Sequence, residues 1–357
     1  MNDSEVRVDE LKNLIERIFT SLDVPGKDAR LLADSLVTAD LEGVASHGVV
    51  LVPMYVERLK AGSVAAAGTP GIAEDLGGLV VVDAAHAFGQ VSSQYAVDLA
   101  LERARTHGVA AVAVRNAFHF GAAAYWTRQF AQAGMVGFAF SNTRPLMPAP
   151  GGAERVVGNN PLSIGFPSAA GKPLVVDMAT SASAMGKIRV AASEARAIPE
   201  GWATDAQGAP TTSAQEAIQG MLLPAAGPKG FGLAVAIDLL CGGLSGGGMG
   251  AGVRPLYDQL DQPYNCAHAF IAIDAARTGG GAGMGAQVDR CADTIRGSRR
   301  APGVDRLYAP GDLENARRLA RGATCPLPAG MAETLDKLAR DVGASPGGPT
   351  LRGTRVP

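Results

Sequence analysis

Two histidines stand where an imidazole could transfer a proton. His47 follows Ser46 at the predicted start of a helix, and His119 occupies a turn after a predicted strand, beside Gly121. Histidine, with an unperturbed pKa of about 6.5, exchanges protons at neutral pH. On the residues alone, Ser46 also fits a plain helix N-cap with His47 on the surface, and His119 also fits a loop histidine bonded to backbone. Of the other three histidines, His107 is interpreted as a capping or surface residue at a helix end, and His86 and His268 are interpreted as structural.

A polar segment from Asn142 to Asn160 separates two apolar runs and is rich in Asn, Pro and Gly. Loops of this length inside a compact domain are uncommon unless they bind something. If the strands that precede His119 and Asn142 are neighbours, as sequential strands often are, both loops open at one edge of a sheet. Small-molecule sites tend to form at such an edge.

The elements that must position these residues follow from hydrophobic periodicity. Apolar residues at helical spacing predict three helices in the first sixty residues, over Asp9–Leu22, from Asp28 to about Leu41, and from Ser46 to Gly62. Short β-branched and apolar runs then predict strands that alternate with helices, at 78–84, 109–115, 136–141, 162–166, 173–177 and 267–274. This pattern indicates an α/β or mixed α+β fold. The nearly all-apolar helix from Lys229 to about Leu244 predicts burial on most of its sides.

Three regions are expected from this pattern. A helical N-terminal unit, residues 1–75, packs with C-terminal helices in 300–343. A mixed-sheet catalytic domain covers 76–299. The tail, 344–357, lacks apolar content and is expected to fray.

Composition excludes several functional classes. The chain is 47% hydrophobic and 18% charged with a net charge of −2, and no basic stripe suggests nucleic acid or a membrane surface as a partner. The N-terminus has no apolar signal segment, so a cytoplasmic location is expected. Four widely spaced cysteines form no C-x-x-C, and neither a metal site nor a disulfide framework is predicted (Cys241, Cys266, Cys291 and Cys325).

A dinucleotide-binding glycine loop is not found in the required context. Six residues, 275–280, separate the run G-A-G-M-G-A at 281–286 from its predicted strand, and no second strand ending in an acid follows at the needed distance. The run G-G-G-M-G-A at 246–251 follows a helix. No P-loop is present. The Rossmann interpretation is therefore rejected.

Several blocks of sequence, in order from about residue 9 to 340, resemble one family. They include D-L-E-G-V-A-S-H-G, V-R-N-A-F-H-F-G-A-A, V-G-N-N-P-L, V-D-M-A-T-S, I-P-E-G-W-A and P-K-G-F-G-L-A. The chain is similar to the malate/L-lactate (sulfolactate-type) dehydrogenases, which include ureidoglycolate dehydrogenase, 2,3-diketogulonate reductase and Δ1-piperideine-2-carboxylate reductase. The resemblance implies a non-Rossmann fold, NADP or NAD as cofactor with NADPH favoured, and a homodimer whose active site lies near the subunit interface.

The resemblance also implies roles for individual residues. His47 matches the acid/base histidine, Ser46 orients it, and His119 is the base in some members. The substrate would contact Tyr55 and the residues at positions 51, 144 and 159. The cofactor would contact two turns and a helix start, at His119, Phe120, Gly121, Ala122, Ala123, Asp177, Met178, Ala179, Thr180, Ser181, Lys229, Pro310, Gly311 and Asp312. Arg189 and Arg196 lie in a region where a 2′-phosphate could bind.

Four positions depart from the pattern of the relatives. Leu51 replaces the arginine that clamps a substrate carboxylate, and it is expected to share a helix face with His47. Asn159 stands where threonine is usual, Arg144 where proline is usual, and Lys187 where the ketimine reductase carries an aspartate of a Ser-His-Asp relay. The hypothesis is that the carboxylate clamp has been lost or has moved to Arg144.

The expected function is NAD(P)H-dependent reduction of a C=O or C=N bond in a 2-oxo acid, a cyclic 2-imino acid or a related small molecule. The first alternative is oxidation of a 2-hydroxy acid such as malate. The second alternative, from another class, is a catalytically silent protein that binds a dinucleotide. Intact Ser46, His47 and His119 argue against a silent protein.

Overall fold

A computed structural model describes residues 4–278, 280, 283–344 and 351. Its helices, in chain order, are α1 (Val8–Thr20), α2 (Gly26–Leu41), α3 (Val52–Lys60), α4 (Gly89–His107), α5 (Ala123–Gln132), α6 (Met185–Ser193), α7 (Ala214–Gln219), α8 (Pro228–Asp238), α9 (Met284–Gly297), α10 (Asp312–Arg321) and α11 (Met331–Asp341). Its strands are β1 (Ser4–Arg7), β2 (Gly71–Asp75), β3 (Leu79–Asp83), β4 (Val109–Ala117), β5 (Val136–Ser141), β6 (Met147–Pro148), β7 (Arg155–Val157), β8 (Leu162–Phe166), β9 (Leu174–Met178), β10 (Ala203–Thr204), β11 (Pro210–Thr211), β12 (Met221–Leu222), β13 (Cys266–Ile273) and β14 (Thr324–Leu327).

A mixed sheet of seven strands, in the order β2-β3-β4-β13-β5-β8-β9, forms the centre of the fold. Strands β3 and β4 are parallel, and every other neighbouring pair is antiparallel. The expected pairing of the two strands before the site loops is wrong, because β13 lies between β4 and β5. Since β13 is antiparallel to both, β4 and β5 run in the same direction. Their following loops therefore still open at one edge.

The main core joins one face of the sheet to the helices around it. Large apolar side chains from α1, α2, α4 and α5 are fully buried there, among them Phe19, Leu32, Phe88, Trp126 and Phe130. Helices α10 and α11 contact α1, α2 and α3. The mixed α/β prediction is confirmed.

Several local predictions need correction. The first sixty residues are not all helical, because β1 pairs with β14 in an antiparallel ladder. The region 142–160 contains the short β6–β7 pair. Of the predicted fraying tail, Ala344 and Leu351 are buried, and the rest lies outside the described residues. Residues 281 and 282 of the rejected glycine motif also lie outside them.

Helix α8 is half buried, contrary to the expected burial on most sides. One face packs Ala234 and Ile237 inside, and a π-helical turn continues the helix over Leu239–Gly243. Four leucines of α8 and of the turn that continues it are 40–53% exposed, namely Leu233, Leu239, Leu240 and Leu244.

None of the described helices combines the length and apolarity that crossing a membrane requires. The four cysteines are free, and Cys291 alone among them is exposed.

Candidate active site

A cleft of about 1580 Å³ opens along the sheet edge at the ends of β4 and β5. Its walls include the turn before α3, the start of α5, the end of β9, α6 and the start of α10. Many of the predicted site residues line it together: Ser46, His47, His119, Phe120, Gly121, Ala122, Ala123, Asn159, Asp177, Met178, Ala179, Pro310, Gly311 and Asp312. The fold thus brings together residues that are up to 266 positions apart in the chain (312 minus 46).

His47 is carried by a short 3₁₀ turn, Ala45–His47, and not by the predicted helix. A second 3₁₀ turn follows at Val49–Leu51, and Gly48 between them is extended, with φ −94° and ψ −153°. The buried Asp40 carboxylate accepts the Val49 N–H at 2.7 Å. A Cβ atom at Gly48 would lie 2.3 Å from that carboxylate, so only glycine fits there. Burial raises the pKa of Asp40 to about 7.

The imidazoles of His47 and His119 face each other in the cleft. Their centroids are 5.5 Å apart and their planes 27° apart. In His47, Nδ1 lies 2.9 Å from the Ser46 hydroxyl, and in His119, Nδ1 lies 2.8 Å from the Tyr55 hydroxyl. Neither Nε2 atom has a hydrogen bond to any described residue, which leaves both for a ligand. Both imidazole rings therefore face the same cleft.

The surroundings disfavour a positive charge on this histidine pair. Desolvation lowers the pKa of His47 below its usual value. Desolvation lowers the pKa of His119 further, and the positive charge of a protonated His47 or His268 would lower it again. Because each ring disfavours a charge on the other, the pair holds one proton more readily than two.

The turn that presents His119 is fixed from behind by buried side chains. The Tyr55 hydroxyl lies 3.2 Å from the His119 carbonyl oxygen, and the Gln90 amide donates to the Tyr55 oxygen at 3.3 Å. The Trp126 indole N–H donates to the Phe120 carbonyl at 3.1 Å. Gly121 has φ +81°, a left-handed conformation that favours glycine. The sequence H-F-G therefore makes a rigid corner ahead of α5.

Six of the predicted residues do not line the cleft: Leu51, Tyr55, Arg144, Thr180, Ser181 and Lys229. Leu51 is 1% exposed and packs in the core, because the two 3₁₀ turns break the helical spacing on which its placement rested. Val50 takes the cleft position instead. Tyr55 reaches the site only through His119. The positive charge of Arg144 acts on the hydroxyl of Tyr264, which does line the cleft.

Asp312 lines the cleft, but its carboxylate is already engaged. Arg296 binds both of its oxygens, at 2.7 and 2.8 Å, and the Ala309 N–H donates to it at 2.8 Å. The Arg296 guanidinium holds the pKa of this carboxyl below its usual value. A ligand at this turn would therefore meet backbone at Pro310 and Gly311.

Several cleft residues received no role from the sequence. Glu42 and Arg128 form an ion pair at 2.6 Å in the wall. Ser141, Tyr264, Lys172 and Trp202 also line the cleft. Periodicity could not find them, since they come from separate elements and carry no local motif.

The cleft suits a dinucleotide. Its volume exceeds the ~300–1,000 Å³ of ordinary small-molecule pockets. Its lining includes apolar residues that follow His119, such as Phe120 and Ala122, and three basic residues, Lys172, Lys187 and Arg196. Apolar contacts suit a nicotinamide ring, and basic side chains suit phosphates. Together with two acid/base side chains, this cleft defines a dinucleotide-dependent oxidoreductase built without a Rossmann loop.

Comparison with known proteins identifies the family. A family model described as malate/L-lactate dehydrogenase matches residues 6–336. Malate dehydrogenase of Pyrococcus abyssi is 34% identical over 356 residues, covering 96% of this chain and 97% of the relative. The structure of sulfolactate dehydrogenase from Methanocaldococcus jannaschii superposes with a TM-score of 0.91 at 32% identity, covering 98% of this chain and 99% of that one. That of Δ1-piperideine-2-carboxylate reductase from Pseudomonas syringae gives 0.83 at 30% identity, covering 94% and 99%.

The chain belongs to the malate/L-lactate dehydrogenase family. It is an NAD(P)-dependent dehydrogenase or reductase, and its cofactor is NAD or NADP. The non-Rossmann fold expected from the resemblance is confirmed.

Proposed function

We propose that this enzyme reduces the C=O or C=N bond of a small 2-oxo acid, cyclic 2-imino acid or related molecule, with His47 as proton donor. The proposal rests on the imidazoles of His47 and His119, whose centroids lie 5.5 Å apart in the cleft. The nicotinamide cofactor, when bound, supplies the hydride. The protein supplies the proton to the oxygen or nitrogen that becomes negative.

His47 suits the donor role because its Nε2 is unbonded and its Nδ1 is held by Ser46. His119 is anchored to the buried Tyr55, so it is assigned to hold the nicotinamide end of the cofactor. Phe120, Gly121, Ala122 and Ala123 continue that surface, and the β9 end and the α10 start provide the rest. The same residues serve the reverse direction, oxidation of a 2-hydroxy acid, by microscopic reversibility.

An absorbance assay at 340 nm tests this proposal. Purified protein is incubated with NADPH or NADH and a panel of 2-oxo acids and cyclic imines, and loss of absorbance shows turnover. Quenching of cofactor fluorescence without oxidation by any substrate, in either direction, would identify a silent dinucleotide-binding protein.

We further propose that a homodimer covers the four exposed leucines of α8 and of the turn that continues it. Homodimer interfaces are more apolar than the rest of a protein surface. Asn160 also links this helix to the cleft, since its amide donates to the Ala234 carbonyl and its oxygen accepts the Thr143 N–H. The dimer would therefore form next to the active site.

The free cysteines support the proposed cytoplasmic location.

Changing Leu240 to aspartate is expected to give a monomer, because a buried, unpaired carboxylate at an interface costs several kcal/mol. Light scattering after size-exclusion chromatography measures the mass. Leu319→Asp is the matched control, because Leu319 is a 66% exposed leucine on α10. Equal dimer content in both variants would contradict the assignment of this face.

The substrate-clamp hypothesis concerns Arg144, whose side chain forms no hydrogen bond or ion pair with the described residues. Arg144→Ala is expected to raise KM for a carboxylate substrate by roughly 10–100-fold, the value of a charge-assisted hydrogen bond. Arg105→Ala, an exposed arginine of α4, serves as control. An unchanged KM in Arg144→Ala would end the relocation hypothesis. If Lys187→Ala raises KM instead, the side chain that binds the substrate carboxylate is Lys187, which lines the cleft.

A further inference from the structure

His268 is a fully buried histidine that the proposed chemistry does not use. It lies on β13, directly opposite Ser141 at the end of β5. Its Nε2 lies 3.0 Å from the Phe118 carbonyl oxygen, and its Nδ1 lies 3.0 Å from the Ser141 hydroxyl oxygen. The ring also stacks on Phe120, with centroids 4.5 Å apart. Burial lowers its pKa to about 4, so the ring is neutral at physiological pH.

These contacts fix where the hydrogen atoms lie. A backbone carbonyl can only accept, so Nε2 carries the single ring hydrogen and donates it to Phe118. Nδ1 is then a bare acceptor, and the Ser141 hydroxyl must donate its hydrogen to it. The competing acceptor, the Asn142 carbonyl, is farther from the hydroxyl, at 3.3 Å.

Ser141 lines the cleft at the same end as His119 and Phe120. With its hydrogen turned towards His268, its oxygen offers only lone pairs to a ligand. Such an atom attracts an N–H or O–H group and repels a carbonyl or carboxylate oxygen. The reactive end of a 2-oxo acid carries acceptors alone and fits it poorly. The amide of a nicotinamide beside the histidine pair carries an NH₂ group and fits it well.

We infer that Ser141, held by His268, accepts a hydrogen bond from the carboxamide NH₂ of the nicotinamide and so sets which face of the ring is turned to the substrate. Ser141 is a cofactor-binding residue in this inference, and His268 is a positioning residue. The inference rests on the proposed placement of the nicotinamide end beside His119.

The test compares two cofactors that differ in this one group. In the 3-acetylpyridine analogue, a methyl group replaces the NH₂. Calorimetry or fluorescence titration without substrate gives Kd for NADH or NADPH, whichever binds, and for its analogue. Wild-type protein is expected to bind the natural cofactor roughly three- to tenfold more tightly, the value of one neutral hydrogen bond.

Ser141→Ala is expected to bind both cofactors about equally, and His268→Phe to reduce the ratio, because the hydroxyl can then rotate. Ser92→Ala is the matched control, a buried serine of α4 that donates to a backbone carbonyl outside the cleft, and it should keep the wild-type ratio. If Ser141→Ala keeps the wild-type ratio of the two Kd values, the inference is overturned and the proposed function still stands. Wild-type protein that binds no nicotinamide cofactor overturns both.

Discussion

Changing His47 to glutamine is expected to lower kcat for reduction by roughly 10²–10⁴-fold, the usual contribution of a positioned acid, with cofactor Kd changed by less than about threefold. Glutamine keeps the volume and polarity of the side chain but cannot deliver a proton. The His47 imidazole is free at Nε2 and lies beside His119, and in the proposed function it acts on the substrate while His119 holds the cofactor. Stopped-flow single-turnover kinetics measure the rate of reduction, and a fluorescence titration measures the cofactor Kd. His107→Gln, at the exposed end of α4, is the control and should behave as wild type.

The pH profile gives an independent check on this assignment. Reduction needs a protonated donor, and desolvation lowers the pKa of His47 below its usual value. Above that lowered pKa the protonated fraction falls about tenfold per pH unit. We therefore expect kcat/KM for reduction to rise as pH falls towards the lowered pKa, while oxidation needs the neutral ring and levels off above it. His47→Gln should abolish the slope. If the slope of the pH profile persists in His47→Gln and vanishes in His119→Gln, the proton donor is His119.

Changing Arg58 to methionine is expected to lower the free energy of unfolding by about 3–5 kcal/mol, the range for disrupting a buried charged network. Arg58 is 0% exposed and has no carboxylate partner among the described residues. Its guanidinium instead donates to four backbone carbonyls of one loop, at Pro255, Leu256, Asp258 and Gln262. Methionine fills the space but leaves those carbonyls without a donor, and buried carbonyls without partners are costly.

This change should also weaken cofactor binding. The loop that Arg58 holds leads into Tyr264, which lines the cleft and packs edge-on against Phe118 at 5.9 Å. Denaturant unfolding measures stability, and a titration measures cofactor Kd. Arg30→Met provides the comparison, because Arg30 forms a solvent-exposed ion pair with Glu16 and should cost less than about 1 kcal/mol. A loss of equal size in both variants would show that the loop does not depend on Arg58.

The sequence predicted the elements whose signals are local. Strands β5 and β8 were found with their observed bounds, because each is a short apolar run bounded by glycine, proline or polar residues. The position of β13 was missed, since strand order is set by contacts between residues 125 or more positions apart, such as Ser141 and His268. The exposed leucines of α8 and of the turn after it were also missed, because an apolar run alone does not tell which of its residues are covered by the core.

In the candidate site, too, features with local sequence signals were predicted and features set by distant contacts were not. The histidine pair was predicted because family motifs surround both residues. The placement of Leu51 failed because Gly48 interrupts the helix that the spacing assumed, and that interruption depends on Asp40, eight positions earlier. The function of Arg58 could not be predicted, because its partners are carbonyls of a distant loop and any sequence can supply carbonyls.

The insertion of β13 between β4 and β5 has a consequence for biosynthesis. During translation, β4 and β5 leave the ribosome more than 120 residues before the strand that joins them (266 minus 141 is 125). A nascent chain shorter than that has two unpaired strand edges where the catalytic corner will form, and such edges invite aggregation. Catalytic competence is therefore acquired late, and slow, non-local pairing is expected to limit the rate at which new enzyme becomes active.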